Sequence, residues 1–288
     1  MSFEERMLAR MATGIENRDP HALAMLGTLE PGHARVVGIT GPPGAGKSTL
    51  VDALATALRR EGKTLAILAV DPTSSISGGA ILGDRIRMQQ HHADPGIFIR
   101  SMATRGSLGG LARATADLAQ LMDAAGKDYV LIETVGVGQA EIAIAQIAQV
   151  TVVVLVPGMG DDVQAIKAGI LEIADIFAIN KSDQPGADRV ERELEAMLGL
   201  SEGRKPPIVK TVATKGEGIA DLLEAIQSAP NRAATVRERS IPIHVTNLND
   251  AVTRLQSAGA GIQPGPGGHV FVDPPPGVFL ELIEEAGK

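Results

Sequence analysis

The 288-residue sequence predicts an α/β fold, with a mostly parallel sheet covered by helices on both faces and a small α+β segment at the C-terminus. Three observations predict it. Apolar runs alternate with helical patterns from Arg35 to Pro230. Most of these runs lack the period-2 alternation of half-exposed strands, as is typical of parallel strands buried on both faces. After Pro230 the pattern changes to one short helix followed by two or three strands.

Each element of the main domain follows from its local pattern. Residues 1–32 predict a helical extension, because apolar residues recur at helical spacing before a break at Asp19-Pro20. Within the 33–230 domain, helical patterns include 108–125 and 188–198. The strands are expected at the apolar runs 36–40, 64–70, 97–100, 129–133, 150–156, 176–179 and 208–212.

A polar segment, 231–240, predicts a linker to a C-terminal tail, 241–288. The tail is expected to contain a strand at 241–245, a helix at 248–258, a Gly/Pro-rich turn at 261–268, and strands at 269–273 and 278–283. A tail of about 48 residues is marginal for an independent fold without a partner surface.

The composition restricts the class of protein. The net charge is −7 and no basic tract is present, which disfavours binding to nucleic acid or to anionic membranes. The absence of cysteine excludes disulfides and thiolate metal sites and fits a reducing, cytoplasmic environment. The first residues lack the apolar stretch of a signal peptide. The longest apolar run, 150–156, is too short to span a bilayer.

The most informative motif lies between the first predicted strand and the following helix. Residues 41–48 read G-P-P-G-A-G-K-S, an unbroken match to the P-loop pattern G-x-x-x-x-G-K-[ST]. Glycines let backbone N–H groups face phosphate oxygens, and the helix N-terminus adds partial positive charge. Lys47 is expected to reach the β- and γ-phosphates, and Ser48 to bind Mg²⁺. The predicted phosphate-binding residues here are Gly41, Pro43, Gly44, Ala45, Gly46, Lys47, Ser48 and Thr49.

A second motif, Asn180-Lys181-Ser182-Asp183, follows the predicted strand at 176–179 and indicates recognition of guanine. The Asp183 carboxylate can accept from the guanine N1–H and N2 amine, which adenine does not offer in that geometry. Asn180 can support the ring edge, and the Lys181 stem can pack on its face. The alternative is a charged loop in which Asp183 caps a helix. The position of the motif after a P-loop, in the same alternating pattern, favours guanine.

Acidic residues at other predicted strand ends are candidates for a Mg²⁺ and catalytic-water network. Glu133 begins the string E-T-V-G-V-G-Q and can reach the Mg²⁺ sphere through a water. In the same string, Gly136 can offer its N–H to the γ-phosphate, and Gln139 is either a water-orienting residue or a surface residue. Asp71 ends a strand and is a candidate for the same network. Asp84, further along the chain, is another candidate, although an ion pair with a neighbouring arginine explains its surroundings equally well.

Two further segments are ambiguous from the residues alone. The glycine-rich stretch Gly158–Lys167 follows a core strand and is either a helix N-cap formed by Asp161 and Asp162 or an element that senses a partner; local mechanics favours the cap. His91-His92 lacks a third ligand at metal spacing, so we interpret it as an exposed helix end.

Taken together, these motifs resemble the MeaB/ArgK family of P-loop GTPases, which are relatives of metallochaperone GTPases that handle nickel and cobalt. The resemblance covers roughly residues 5–230. It implies a GTPase with a slow intrinsic rate, which converts GTP to GDP and phosphate. It also implies a chaperone that couples this reaction to cofactor loading and protection of adenosylcobalamin-dependent methylmalonyl-CoA mutase. The matching strings are 37–50, 70–74, 83–88, 133–139, 164–169 and 180–183.

The resemblance also implies residue roles. The catalytic residues would be Lys47, Asp71, Asp84 and Glu133, and the metal ligands would be Ser48 and those three carboxylates. The stretch Gly158–Lys167 resembles the third switch of the family, which faces the mutase. The resemblance therefore favours a partner-facing element over the helix-cap interpretation. Its candidate partner residues are Gly158, Asp161, Asp162, Gln164 and Lys167. The Ala213 N–H would meet guanine O6, in a loop where Val212 departs from the usual serine.

The tail departs from this family, which usually ends in a helical dimerisation arm. Instead, 243–259 and 269–284 resemble one β-α-β-β-β half of a vicinal-oxygen-chelate domain of the kind in methylmalonyl-CoA epimerase. Glu281 stands at the metal-ligand position of that domain, and Arg239 or Ser240 replaces the expected histidine. Because the other half is missing, we expect no epimerase activity and a homodimer in which two tails complete one arrangement.

Two alternative functions remain open. One is a GTPase metallochaperone for another client enzyme. The other is an ATPase or kinase associated with amino-acid transport. The guanine-type loop argues against ATP, and the sequence offers no membrane segment to support transport.

Overall fold

The computed structural model describes residues 3–71, 91, 93–103, 108–134, 144–158, 172–200, 205–231, 240–245, 248–257, 261–264, 270–273 and 279–284. The chain divides into two compact units, Met1–Asn231 and Arg232–Lys288.

The first unit contains the predicted helical extension and every predicted strand, with strand ends that lie within three residues of the expected positions. Its elements are α1 (Phe3–Glu16), α2 (Pro20–Leu26), β1 (Arg35–Thr40), α3 (Lys47–Arg60), β2 (Leu65–Asp71), β3 (Ile97–Ala103), α4 (Leu108–Ala124), β4 (Tyr129–Thr134), β5 (Val150–Leu155), β6 (Ile176–Ile179), α5 (Ala187–Leu200), β7 (Ile208–Lys210) and α6 (Ile219–Ser228).

The seven strands form one parallel sheet in the order β3-β2-β4-β1-β5-β6-β7. β4 and β5 are buried along their whole length, which explains why their sequences do not alternate. Helices cover both faces. In β2, Ile67 belongs to a core formed with α3 and α6, whereas Leu68 belongs to a core formed with α1, α2 and α4. The predicted α/β class is confirmed.

The strand order decides where chemistry can occur. β1 lies between β4 and β5, and β6 follows β5. The carboxyl ends of parallel strands meet at one edge of a sheet, where ligands of such folds bind. The segments that follow β1, β4, β5 and β6 therefore begin at the same edge.

The second unit contains β8 (Ser240–Val245), α7 (Leu248–Ser257), β9 (Gly261–Pro264), β10 (Val270–Asp273) and β11 (Phe279–Glu284). Its sheet has the order β8-β11-β10-β9, in which β8 and β11 are parallel and the other pairs are antiparallel. The turn predicted at 261–268 is wrong in its first half, because Gly261–Pro264 pairs with β10. Pro264 ends a strand at the sheet edge, a position that tolerates proline.

None of the helices in the described parts of the chain is both long enough and apolar enough to cross a membrane.

Candidate nucleotide-binding site

The P-loop, Gly41–Ser48, connects β1 to α3 and needs glycine at two close approaches. Gly41 has a φ of 141°, and a Cβ there would lie 2.2 Å from the Val154 carbonyl oxygen of β5. Gly46 has a φ of 85°, and a Cβ there would lie 2.5 Å from the Asn180 side-chain nitrogen. Both the backbone conformation and the space favour glycine at these positions. The loop therefore lies tightly against β5 and the segment that follows β6.

Lys47 is the first residue of α3 and is only 6% exposed. Its Nζ donates to the carbonyl oxygens of Gly41, at 2.8 Å, and Pro42, at 2.9 Å. Because an ammonium has three donors and rotates freely about its stem, these contacts can be exchanged for phosphate oxygens. The positive charge is thus already held inside the P-loop.

Ser48 and Glu133 meet below the P-loop. The Ser48 hydroxyl donates to Glu133 Oε1 at 2.6 Å, and both side chains are buried. Glu133 reaches this position because its strand, β4, pairs with β1, where Ile39 lies opposite Glu133. Mg²⁺ prefers hard oxygen ligands, so a hydroxyl and a carboxylate beside a phosphate-binding loop fit this ion.

Asn180 connects the P-loop to two other segments. Its Nδ2 donates to the Ala45 carbonyl oxygen at 2.9 Å. Its Oδ1 accepts from the Thr211 hydroxyl, at 3.2 Å, and from the Ala213 N–H, at 3.1 Å. The side chain is 2% exposed. One buried carboxamide therefore uses its donor and its acceptor at once, and it holds the expected base-binding segment against the expected phosphate-binding segment.

Lys181 makes a second contact to the P-loop. It adopts a φ of 54°, unusual for a residue with a side chain, and its Nζ donates to the Gly44 carbonyl oxygen at 2.9 Å. The lysine stem therefore extends toward the P-loop, next to Gly46. This path is compatible with the predicted packing of the stem on a purine face.

Asp183 lies at the end of the segment Asn180–Asp183, which we call the guanine loop. Its Oδ2 is 2.9 Å from Lys215 Nζ. The hydrogen bond from Lys215 lowers the pKa of the Asp183 carboxyl, and the same contact raises the pKa of Lys215. Sequence reasoning missed Lys215. The signal available in the sequence was its position two residues after Ala213, whose N–H is expected at guanine O6.

Other predicted residues are placed only in part. The backbone of Asp71 ends β2. Gly158 is exposed, with a φ of 86°. The Ala213 N–H, expected at guanine O6, donates to Asn180 in this structure. The predicted residues that lie outside the described residues are Asp84, Gly136, Gln139, Asp161, Asp162, Gln164, Lys167 and Arg239.

The interpretation of His91 as an exposed helix end is wrong. The side chain is buried, and its Nε2 lies 2.9 Å from Asp52 Oδ1 on α3. Packing against the helix that follows the P-loop overrides the polar character of the residue. His92 lies outside the described residues.

Comparison with known proteins adds an independent observation. The sequence profile of the family described as methylmalonyl Co-A mutase-associated GTPase MeaB matches residues 8–246. The chain belongs to the MeaB family. This places it among GTPases and confirms the family resemblance of the main domain.

Individual relatives agree with this membership. A protein of Pyrococcus horikoshii, whose name assigns it provisionally to the GTPases, is 53% identical over 232 residues, which cover 78% of this chain and 73% of that protein. The GTPase ArgK of Escherichia coli is 37% identical over 77% of this chain and 71% of its own length. The mouse protein named methylmalonic aciduria type A homolog, mitochondrial, is 42% identical over 66% of this chain and 48% of its own.

Solved structures agree on the fold. A protein described as LAO/AO transport system kinase superimposes with a TM-score of 0.63 and 28% identity, over 88% of this chain and 79% of that one. HypB from Helicobacter pylori, solved in complex with nickel, superimposes with a TM-score of 0.51 and 19% identity, over 77% of this chain and 95% of that one. At that identity the second likeness shows the fold alone.

The contacts of Asn180 generate a prediction. Replacing Asn180 with alanine removes the partner of the buried Ala45 carbonyl and Ala213 N–H. We expect Asn180→Ala to lower the free energy of unfolding by about 1–3 kcal/mol and to weaken GDP binding. Chemical denaturation and titration calorimetry measure the two effects.

Gln184→Ala is the matched control, because Gln184 is an exposed amide just after the guanine loop. We expect it to change the free energy of unfolding by less than about 0.5 kcal/mol. Equal stability and equal GDP affinity in the two variants would contradict the connecting role of Asn180.

Proposed function

We propose that this protein is a Mg²⁺-dependent GTPase that acts as a chaperone for adenosylcobalamin-dependent methylmalonyl-CoA mutase, in cofactor loading and protection. The observation that carries the nucleotide part is the attachment of the guanine loop to the P-loop through Asn180 and Lys181. Family membership supports the chaperone part.

In the proposed complex, the backbone N–H groups of the P-loop and the Lys47 ammonium bind the phosphates of GTP. Asp183 accepts from guanine N1–H and N2–H. Ser48 and Glu133 would hold Mg²⁺, and this ion would supply positive charge that offsets the charge of the phosphates. We assign Asp71 and Asp84 to the same network, as the resemblance implies. Gly136 would offer its N–H to the γ-phosphate.

Hydrolysis would transfer the γ-phosphoryl group from GTP to water. A bond forms between the water oxygen and the γ-phosphorus, the bond from that phosphorus to the β–γ bridging oxygen breaks, and GDP and phosphate leave. We propose a slow intrinsic rate, because partner proteins usually complete such sites. The reaction would then time the state of the chaperone.

The partner-facing element is proposed to be Gly158–Lys167. β5 lies beside β1 in the sheet, so this stretch begins at the same edge as the P-loop. That position supports a response to the bound nucleotide. Within it, Gly158, Asp161, Asp162, Gln164 and Lys167 are the proposed contact residues. We also propose a cytoplasmic location.

The choice between guanine and adenine decides between this proposal and an ATPase or kinase role in transport. One similar solved structure is described as a LAO/AO transport system kinase. We expect calorimetric titration to give tighter binding of GTP than of ATP. Asp183→Asn should weaken GTP at least about tenfold and favour xanthosine triphosphate. The asparagine oxygen can still accept from N1–H, but its NH₂ group meets a donor, the N2 amine, in GTP and an acceptor, the C2 carbonyl, in xanthosine triphosphate. Lys47→Ala should abolish binding of all these triphosphates.

Asp188→Asn is the matched control for Asp183→Asn. Asp188 is also an exposed aspartate paired with a lysine, Lys210, at 2.8 Å, but it lies on α5 outside the guanine loop. It should keep the wild-type preference. Tighter binding of ATP by the wild-type protein, or an unchanged preference in Asp183→Asn, would overturn the guanine assignment.

The client enzyme is tested by capture of purified methylmalonyl-CoA mutase on the immobilised protein. We expect capture to differ between GDP and a nonhydrolysable GTP analogue, because the proposed contact stretch begins beside the P-loop. Lys47→Ala serves as the nucleotide-insensitive control. Equal capture with GDP and with the GTP analogue would contradict a nucleotide-dependent switch. Absence of capture would favour another client enzyme, as in the metallochaperone alternative.

We further propose that the C-terminal unit mediates homodimerisation and has no epimerase activity of its own. Its β-α-β-β-β order supports the resemblance to half of a vicinal-oxygen-chelate domain. A four-stranded sheet has two edge strands, here β8 and β9, that a second copy can pair with or cover.

Sedimentation measures the oligomeric state with and without the tail. The full chain is expected to sediment as a dimer and a chain ending at Pro230 as a monomer. The same species for both would exclude the tail as the interface. Metal-dependent exchange of the α-proton of methylmalonyl-CoA, catalysed by the purified full chain, would contradict the inactive tail.

A further inference from the structure

We propose that Lys215 is a positioning residue for guanine recognition, which holds the Asp183 carboxylate in place and extends GTP binding to lower pH. The inference rests on the proposed role of Asp183 as the residue that recognises guanine. It adds a residue, and a pH limit, to that role.

The first support is that two separate segments bring the charges together. Asp183 follows β6 and Lys215 follows β7, and their side chains are 2.9 Å apart. The backbones of the same segments are bonded to each other. The Ser182 N–H donates to the Thr211 carbonyl at 3.1 Å, and the Thr211 N–H donates to the Ile179 carbonyl at 2.9 Å.

The second support is the tight turn that carries Lys215. The Val212 N–H donates to the Glu217 carbonyl at 3.0 Å, and the Lys215 N–H donates to the Val212 carbonyl at 2.9 Å. Gly218 follows with a φ of 71°, and a Cβ there would lie 2.0 Å from the Lys210 carbonyl oxygen. The backbone that carries Lys215 is therefore held in a constrained turn.

The third support is exposure. The Lys215 side chain is 54% exposed and that of Asp183 is 40% exposed. Ion pairs this open contribute little to the stability of a fold. Removing Lys215 is therefore expected to leave the fold intact, so that a change in GDP affinity reports on Asp183 and not on stability.

The charges around the pair determine the direction of the effect. Lys215 lowers the pKa of Asp183 through its hydrogen bond, and Asp183 and then Glu217 raise the pKa of Lys215. Lys181, in the guanine loop, directs its ammonium to the Gly44 carbonyl instead. Among the residues that the structure describes, Lys215 is thus the cation that lowers the pKa of Asp183.

The chemistry of guanine explains why ionisation matters. The guanine N1–H and N2–H are both donors, so each needs an acceptor oxygen. A protonated Asp183 would present an O–H and lose one acceptor. A carboxylate oxygen has two acceptor positions, so Oδ2 can bind Lys215 and the base together.

The test is GDP affinity measured by calorimetry from pH 8 downward in wild type, Lys215→Met and Lys215→Arg. Because Lys215 lowers the pKa of Asp183, its removal returns this pKa toward the ordinary value, and binding is lost at a higher pH. We expect the acidic midpoint to move upward in Lys215→Met and to be restored in Lys215→Arg. At pH 8 the affinity should fall no more than about fivefold, the size expected of one exposed ion pair.

Lys210→Met is the matched control. Lys210 ends β7 and pairs with Asp188 and Glu191, at 2.8 and 2.6 Å. The substitution Lys210→Met therefore removes the same positive charge without removing a partner of Asp183. Its midpoint should equal that of the wild type. The phosphates of GDP titrate alike in all variants and cancel in the comparison. Lys215→Gln provides a second neutral variant, and circular dichroism at each pH verifies the fold.

The outcomes separate the two proposals. If the wild type prefers GTP and Asp183→Asn loses that preference, but Lys215→Met and Lys215→Gln keep the wild-type midpoint, the role of Lys215 is overturned and the guanine assignment stands. If the wild type shows no preference for GTP over ATP, the guanine assignment fails and the role of Lys215 fails with it.

Discussion

The Asn180 carboxamide, 2% exposed, bonds to the Ala45 carbonyl on one side and to the Ala213 N–H on the other. A buried carbonyl and a buried N–H each need a partner, and here one side chain supplies both. The P-loop, the guanine loop and the turn after β7 are therefore held as one unit. These bonds join the P-loop and the guanine loop directly, with no ligand between them.

The sheet makes this arrangement possible. β6, which ends one residue before Asn180, is fully buried, and Phe177 within it packs into a core formed with β5 and α5. The parallel order then places the ends of β1, β4 and β6 along one edge. Residues as far apart in sequence as Ser48 and Glu133 come within 2.6 Å for the same reason.

Much of this could be predicted from the sequence because the signals are local. Continuous apolar runs mark parallel strands, and the P-loop pattern carries its own strand–loop–helix context. The parts that were missed depend on partners that a local pattern does not specify. β9 reads as a turn in the sequence but pairs with β10, which begins six residues further along. His91 is buried against Asp52 of α3, which lies 39 residues earlier in the chain.

The contacts inside the site divide in the same way. The residue types at Lys47, Asn180 and Asp183 follow from motifs, whereas their partners do not. Lys47 bonds to carbonyls of its own loop, and Asp183 pairs with Lys215, which lies 32 residues away. Motifs indicate which groups are expected to meet the ligand. The surrounding fold determines which neighbouring residues contact those groups.

The most direct measurement is a crystal structure of the protein with GDP and Mg²⁺. The account predicts the guanine edge against the Asp183 carboxylate and phosphates within the P-loop. It also predicts that the Lys47 Nζ has moved from the Gly41 and Pro42 carbonyls to a phosphate oxygen, while Asn180 keeps its bond to Ala45. A base bound away from Asp183, or phosphates bound outside the P-loop, would contradict it.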